Sequence, residues 1–235
     1  MQMVFFKYGH KETDYLKSKD PVLAAAMEEI GLVRKETVSD LFVALVSQII
    51  SQQISTKGAI TIWNRMRERL GSITPATIQQ AEPSLIQQCG TSMRKAMYIK
   101  ELAETVLSGA INLEELHGLP DDEVCARLSA IKGIGVWTAE MLMTFSMQRP
   151  DIMSWGDIAI HRGLRMLYRH RRITKQLFAK YKRRYSPYAS VACLYLWAIA
   201  DGECEGLTDP APMSEAQKKA KARSKAASAK SSKKG

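Results

Sequence analysis

The sequence lacks any apolar run of the roughly 18 to 20 residues that a membrane-spanning helix needs. Its first seven residues turn polar too soon to provide the apolar part of a signal peptide. Hydrophobic residues still make up 46% of the 235 residues, enough for one compact domain or two small lobes sharing a cleft. We therefore expect a soluble, intracellular protein with a sizeable core.

Motifs for metals and nucleotides are missing as well. The four cysteines, at positions 89, 125, 193 and 204, are irregularly spaced and form no Cys-x-x-Cys pair of the kind found in zinc and iron–sulfur sites. This spacing favours isolated, reduced thiols. The chain contains neither a Gly-x-Gly-x-x-Gly nor a P-loop sequence. The chain has only four histidines, and they form no catalytic constellation that the sequence would reveal.

Alternating strand patterns are also absent, and apolar residues recur with the helical period almost throughout. Asp20-Pro21 predicts a capped helix start, and Ser39-Asp40 predicts the start of a long apolar helix. Another helix is expected to start at Pro120. Further helices are predicted over residues 56–70, 75–81, 83–89, 93–108, 112–116, 158–168, 174–185 and 187–200. The pattern as a whole predicts an all-α fold.

Positive charge is concentrated in two places. Residues 214–235 contain eight lysines and arginines against one acid, and their Ala/Lys/Ser composition predicts a disordered basic tail. A second basic run extends from Arg162 to Arg184 within the helical part. It fits either a phosphate-facing surface or a helix face that is merely solvated, and composition leaves both interpretations open.

The segment 128–142 carries the most specific signal. Gly133-Ile134-Gly135 joins two helical stretches, and two glycines one residue apart permit a tight turn with positive φ. The second helix would then point free N–H groups outward, where they can bind a phosphate without reading a base. Ile134 is expected to pin the hairpin to the core. An ordinary helix–helix turn with a glycine C-cap is the competing interpretation from spacing alone.

Further along the chain, residues 154–157 read Ser-Trp-Gly-Asp at the point where a loop turns into a helix. Asp157 is placed to cap that helix. The positive end of the helix would favour an ionised carboxylate, which is the form that a cation-stabilising catalyst needs. The neighbouring acids Asp151 and Glu140 are interpreted as surface or capping residues.

The hairpin, the loop after it and Asp157 together resemble the helix-hairpin-helix, Gly/Pro-rich loop and Asp signature of the HhH-GPD DNA glycosylases. The resemblance extends from about Phe42 to Ala200, which is most of the helical part. It implies two helical lobes with a central cleft and an enzyme of base excision repair that flips its target nucleotide. The loop departs from the family pattern in one respect, because Ser-Trp-Gly at 154–156 lacks the usual proline.

Trp137 indicates one branch of that family. Bifunctional members carry a lysine nucleophile at this position, so the resemblance implies a glycosylase without AP lyase activity. Residues 133–139 instead resemble the Gly-x-Gly-x-Trp-Thr-Ala motif of AlkA-type DNA-3-methyladenine glycosylases. The implied reaction is hydrolysis of the N-glycosidic bond of alkylated purines. Asp157 would stabilise the oxocarbenium-like sugar and orient the attacking water, with no metal required.

The resemblance implies roles for other residues too. Trp137 and Trp197 would line the base pocket, where an indole face attracts a positively charged purine. Gln53, in the polar turn 51–56, would fill the gap left by the flipped nucleotide. The residues expected to contact the DNA are Gln53, Gly133, Gly135 and Thr138. The hairpin carbonyls could also hold a structural monovalent cation.

We expect four parts along the chain: an N-terminal segment 1–36 packing with the C-terminal lobe, a lobe 37–140 with the wedge loop and hairpin, a C-terminal lobe 141–208 with the catalytic Asp157, and the basic tail 209–235. The partner would be double-stranded DNA containing damaged bases, bound by a monomer. Two alternatives stay open. One is a monofunctional glycosylase for hypoxanthine or a mismatched base, and the other is a noncatalytic helix-hairpin-helix DNA-binding protein.

Overall fold

The computed structural model describes residues 4–211, so the predicted tail lies outside the described residues from position 212 onward. This part of the chain is built almost entirely from helices, and the predicted all-α class is confirmed. None of these helices is both long and apolar enough to cross a membrane. The helices are α1 His10–Lys19, α2 Pro21–Ile30, α3 Leu41–Ser51, α4 Thr56–Leu70, α5 Pro75–Gln80, α6 Pro83–Gln88, α7 Met93–Leu107, α8 Asp121–Ser129, α9 Val136–Phe145, α10 Ile158–Tyr168, α11 Lys175–Tyr185 and α12 Ala189–Asp201.

Most helix starts follow the local capping signals in the sequence. The Asp20 side chain accepts the N–H groups of Val22 and Leu23, and Pro21 is the first residue of α2. Asp40 caps α3 in the same way by accepting the N–H of Val43. Each cap satisfies backbone donors that the first helical turn leaves without a partner.

The sequence prediction was wrong for the segment 112–116. A 3₁₀ turn at Glu115–Gly118 replaces the predicted helix. The side-chain oxygen of Asn112 accepts the N–H groups of Glu114 and Glu115. Such side-chain bonds offer the backbone an alternative to helical pairing.

A short β-ribbon was also missed. Strand β1, Val4–Phe5, pairs antiparallel with strand β2, Glu36–Thr37, in the register Val4 to Thr37 and Phe5 to Glu36. Strands of two residues are too short to show an alternating pattern, so periodicity carries no signal for them.

The buried apolar side chains form two clusters. The first contains side chains of α3 to α9 and continues to Ile152. The second joins α1 and α2 to α10, α11 and α12. Helices α9 and α10 are neighbours in sequence yet contribute to different clusters, so the connecting residues 146–157 pass from one cluster to the other. We propose that the two clusters are the cores of the two lobes expected from the sequence.

Asp20 is a buried carboxylate that ties α2 to α10 and α11. Its Oδ2 accepts the hydroxyl of Tyr168 at 2.7 Å and pairs with the guanidinium of Arg184 at 2.5 Å. Burial alone would raise the pKa of Asp20, but the Leu23 N–H, Arg184 and Tyr168 outweigh it and hold that pKa below its usual value. The ionised form of this carboxylate therefore stabilises the fold.

Helices α10 and α12 meet at a glycine. A Cβ on Gly163 would lie 2.3 Å from the carbonyl oxygen of Leu196 in α12, so any side chain at this position would push the two helices apart. This close approach fixes the position of α10, whose first turn follows Asp157.

We expect Asp20→Asn to lower the free energy of unfolding by about 2 to 3 kcal/mol, because the amide would present N–H donors to Arg184 and Tyr168. The folded pKa of Asp20 is lowered, so its contribution is complete above the unfolded value of about 3.9 and is lost as pH falls through the folded pKa. Urea denaturation should show a smaller difference between mutant and parent near about pH 3 than near about pH 7. Asp40→Asn, at an exposed cap, is the control. A pH-independent difference at Asp20 would contradict this account.

Gly163→Ala should destabilise the protein by about 1 to 3 kcal/mol through overpacking between α10 and α12. Gly118→Ala is the matched control, because a Cβ at Gly118 meets no atom within 4 Å. Thermal and urea midpoints of both variants test this expectation. Equal stability of the two variants would show that the helices can separate without cost.

Candidate active site

Asp157 caps α10, as predicted, and it is buried. Its Oδ1 accepts the N–H of Ile160 at 2.9 Å, and its Oδ2 accepts the indole N–H of Trp137 at 3.0 Å. These two donors and the positive end of α10 stabilise negative charge on the carboxylate. The structure thus brings together the acid and the tryptophan that the sequence selected separately.

The predicted hairpin joins α8 to α9 through residues 130–135. Gly133 has a φ of 85°, where glycine is favoured, and a Cβ there would lie 2.8 Å from the ring of Tyr98. Ile134 is buried in the first cluster, which confirms that it pins the hairpin. Gly135 is the N-cap of α9 and supplies no side-chain cap. The first N–H groups of α9 therefore have no capping side chain and suit an anion.

Thr138 lies in the first turn of α9, and its side chain is buried. A hydroxyl in this environment has little surface to offer to DNA. The DNA contact predicted for Thr138 would therefore have to come through its backbone N–H.

The polar turn predicted to hold the wedge residue connects α3 to α4. Gln53 is exposed in this turn and has a φ of 57°, a left-handed conformation that is uncommon for residues other than glycine. Its side chain is therefore at the protein surface, where a wedge residue has to be.

Two residues that sequence reasoning missed tie this turn to the rest of the site. The side-chain amide of Gln52 donates to the carbonyl of Gly133 in the hairpin. The ammonium of Lys95 donates to the carbonyls of Ile50 and Gln52, at 2.8 and 2.7 Å. These contacts join segments that are distant in the sequence, so no local motif could reveal them.

Asp151 is a capping acid, as predicted. Its Oδ1 accepts the N–H of Ala189 at the start of α12, and its Oδ2 accepts the hydroxyl of Ser186 at 2.6 Å. This holds the loop before Asp157 against the N-terminal end of α12.

The interpretation of Glu140 as a surface or capping acid was wrong. Glu140 is half-buried on α9, and it accepts a hydrogen bond from the hydroxyl of the fully buried Ser154. Burial raises the pKa of the Glu140 carboxyl, and the nearby Asp157 carboxylate adds to that rise. The site therefore contains a second carboxyl group close to Asp157.

Trp197 is half-buried on α12, where its ring lies 5.3 Å from that of Phe145. Phe145 is the last residue of α9, whereas Trp137 is the second. Eight residues of helix separate them by about 12 Å along the axis. The role of Trp197 in a base pocket stays a prediction.

Four exposed apolar side chains lie at or within two residues of Trp137 and Asp157 in the chain. They are Val136, Trp137, Trp155 and Ile158. The Trp155 ring is held edge-on, 4.5 Å from His161 and 5.2 Å from Phe178. Because exposed apolar surface is typical of interaction sites, these four side chains are candidates for contact with a ligand.

The second basic run is only partly available to a ligand. Arg165 pairs with Asp209, and Arg184 pairs with Asp20, so both have structural partners. The contact at Asp209 also shows that the first residues of the predicted tail are held by the fold. The exposed cations of the run are Arg162, Arg169, Arg171, Arg172, Lys175, Lys180, Lys182 and Arg183. A phosphate-facing surface would have to use these eight.

Comparison with known proteins places these features in a family context. DNA-3-methyladenine glycosylase 1 of Schizosaccharomyces pombe is 37% identical over 158 residues, covering 65% of this chain and 69% of the relative. DNA-3-methyladenine glycosylase of Saccharomyces cerevisiae is 27% identical over 238 residues, covering 83% and 80%.

Solved structures agree with the sequence comparison. A DNA-3-methyladenine glycosidase from Bacillus halodurans superposes with a TM-score of 0.76 at 35% identity, covering 88% of this chain and 96% of the other. The 3-methyladenine DNA glycosylase of S. pombe, solved in complex with abasic DNA, gives a TM-score of 0.70 at 31% identity, covering 83% and 98%.

The family described as HhH-GPD superfamily base excision DNA repair proteins matches residues 46–187. This range includes the turn with Gln53, the hairpin and Asp157, whereas Trp197 lies beyond it. Because the match covers more than half of the chain and includes the contact between Trp137 and Asp157, this protein belongs to the HhH-GPD superfamily.

Proposed function

We propose that this protein is a monofunctional DNA glycosylase that removes alkylated purines, of the 3-methyladenine and 7-methylguanine type, from double-stranded DNA. The observation that carries the proposal is the buried carboxylate of Asp157, held by the indole N–H of Trp137 on the hairpin helix. Relatives and solved neighbours named as 3-methyladenine glycosylases support the choice of substrate.

DNA binding in this proposal begins with the phosphate backbone. The N-terminal end of α9 after Gly135 would receive a phosphate, and the exposed cations between Arg162 and Arg183 would add salt-sensitive attraction. Gln53 would enter the duplex in place of the flipped nucleotide. The hydrogen bond from Gln52 to the Gly133 carbonyl supports this arrangement, because it holds the wedge turn against the hairpin.

The flipped base would stack on Trp137, whose side chain is partly exposed although its N–H is bound to Asp157. A purine alkylated at N3 or N7 is positively charged and is attracted to an indole face by about 0.5–2 kcal/mol. We place Trp197 of α12, which contacts the C-terminal end of α9 at Phe145, as a second aromatic wall.

Asp157 would act on the sugar rather than on the base. Loss of a charged purine leaves an oxocarbenium-like sugar, and a carboxylate close to C1′ stabilises it electrostatically. The same carboxylate can orient the attacking water and accept its proton. The base departs as a neutral molecule, so no acid is needed to protonate it.

The reaction requires no cofactor in this proposal, and the protein would act as a monomer. If a monovalent cation used the hairpin carbonyls, it would have to share the Gly133 oxygen with the Gln52 amide. The steps assigned to Asp157 do not depend on such an ion.

Asp157→Asn should reduce single-turnover base release by about a hundredfold to a thousandfold, because the neutral amide cannot stabilise the sugar cation. Asparagine is as good a helix cap as aspartate, so its amide oxygen should still accept the Ile160 N–H and keep the cap of α10, although its amide nitrogen cannot accept the Trp137 indole N–H. The assay is release of 3-methyladenine and 7-methylguanine from methylated duplex DNA, with Asp122→Asn on the exposed face of α8 as the control.

Each alternative gives a different result in this assay. Salt-dependent DNA binding without release of any base would indicate a noncatalytic binder. Release of hypoxanthine or of a mismatched base, but not of methylated purines, would keep the glycosylase and overturn the substrate class. Unchanged release by Asp157→Asn would overturn the catalytic assignment.

The parent protein should not cut DNA at abasic sites, because a tryptophan stands where a lyase would have its lysine. Borohydride should therefore trap no covalent complex between the protein and abasic DNA, and strand breaks should appear only after alkali. Trp137→Lys is the positive comparison, since it places an amine beside Asp157. Trapping of the parent protein would show that another amine forms the Schiff base and that the enzyme is bifunctional.

A further inference from the structure

Helix α9 presents two side chains to the loop that carries Asp157. Trp137 donates its indole N–H to the Asp157 carboxylate, and Glu140 accepts the hydroxyl of Ser154. Residues three apart lie on the same side of a helix, so both bonds act on one stretch of loop. Helix α9 therefore holds this loop by hydrogen bonds at two loop residues, Ser154 and Asp157.

Ser154 stands in the part of the loop where the family pattern that this chain resembles has a proline. It is fully buried, and its carbonyl lies 3.4 Å from the N–H of Asp157, so it starts the turn that ends at the catalytic residue. The proline of the family pattern has no hydroxyl and could not bond to Glu140. Where a proline would restrict the backbone directly, the bond from Ser154 to Glu140 restrains this part of the loop.

The acid at position 140 is costly for stability. Its carboxyl is half-buried, and burial raises its pKa although the Ser154 hydroxyl and the Lys182 ammonium lower it; the nearby Asp157 carboxylate adds to the rise. An apolar residue would fill this part of α9 at lower cost. The hydrogen bond from the Ser154 hydroxyl to the Glu140 carboxyl is the contact that explains an acid at this half-buried position.

The loop has little freedom to compensate if this contact is lost. A Cβ on Gly156 would be 3.4 Å from the Trp137 Cβ and 3.7 Å from the Ser154 hydroxyl oxygen, so the loop backbone lies directly against α9. The other end of the loop is fixed by Ser190, whose hydroxyl donates to the Arg149 carbonyl at 2.6 Å. Loss of the hydrogen bond between Ser154 and Glu140 would therefore shift the position of the Asp157 carboxylate.

We propose that Glu140 is a positioning residue, which holds the loop through Ser154 so that Asp157 stays bound to the Trp137 indole. The inference rests on the proposed function for its kinetic consequence, but the positioning itself is independent of the substrate. Glu140 would not touch the DNA and would act only through Ser154.

The first test measures the geometry without any substrate. Hydrogen exchange of the Trp137 indole N–H, followed by NMR, should speed up by about tenfold or more in Glu140→Ala and in Ser154→Ala. Glu140→Gln should keep the slow exchange of the parent protein, because its amide oxygen still accepts from Ser154. Unchanged exchange in Glu140→Ala would overturn the proposal whether or not the protein is a glycosylase.

The second test is a double-mutant cycle on single-turnover base release. Glu140→Ala and Ser154→Ala should each slow release by about tenfold to a hundredfold, and the double mutant should be no slower than either. Affinity for abasic-site DNA should stay within about twofold, and Glu140→Gln should restore the rate to within about threefold of the parent. Glu104→Ala, at an exposed acid of α7, is the control.

The outcomes separate the two proposals. Failure of the parent protein to release any methylated purine, with the exchange results as expected, would overturn the proposed function but keep the positioning role. Losses that multiply in the double mutant, or a Glu140→Gln variant as slow as Glu140→Ala, would overturn the positioning role while the glycosylase stands. A fall in rate that follows the loss of thermal stability in every variant would show a purely structural contact.

Discussion

A carboxylate as buried as that of Asp157 is destabilising unless hydrogen-bond donors reach both of its oxygens. One donor is local, because Ile160 belongs to the helix that Asp157 caps. The other, the indole N–H of Trp137, comes from a helix of the other apolar cluster. The charge is therefore fully compensated only when the two clusters are assembled, and the proposed catalytic group depends on the packing of the whole fold.

Helix α12 provides the support on which this contact is built. The Ser190 hydroxyl donates to the Arg149 carbonyl and accepts the N–H of Ile152, which fixes the loop between α9 and α10. Six residues further on, the Leu196 carbonyl meets Gly163, so α10 can lie this close to α12 only because residue 163 has no side chain. A single buried helix thus sets both the path of the loop and the position of α10, and Asp157 lies where the two join.

The sequence predicted features that are decided locally and missed those decided by packing. The caps at Asp20, Asp40 and Asp157 and the glycines of the hairpin act within one turn of chain, so residue type and spacing are enough to find them. Glu140 was misjudged for the opposite reason. Helix α9 is buried on most sides, so its pattern does not reveal which face meets the loop. Only the tertiary packing places Glu140 against Ser154.

The bond between Trp137 and Asp157 also links recognition to chemistry in the proposed function. A carboxylate that accepts the indole N–H polarises the ring and makes its face more negative, which strengthens the attraction for a cationic purine. The more negative indole face does not strengthen the stacking of a neutral base in the same way. Even at about 2 kcal/mol, however, stacking prefers the cation by only about thirtyfold. Most of the discrimination has to arise in bond cleavage, where the alkylated base leaves as a neutral molecule and Asp157 meets the sugar cation. Selectivity for damage would then follow from the reactivity of the lesion more than from the shape of its pocket.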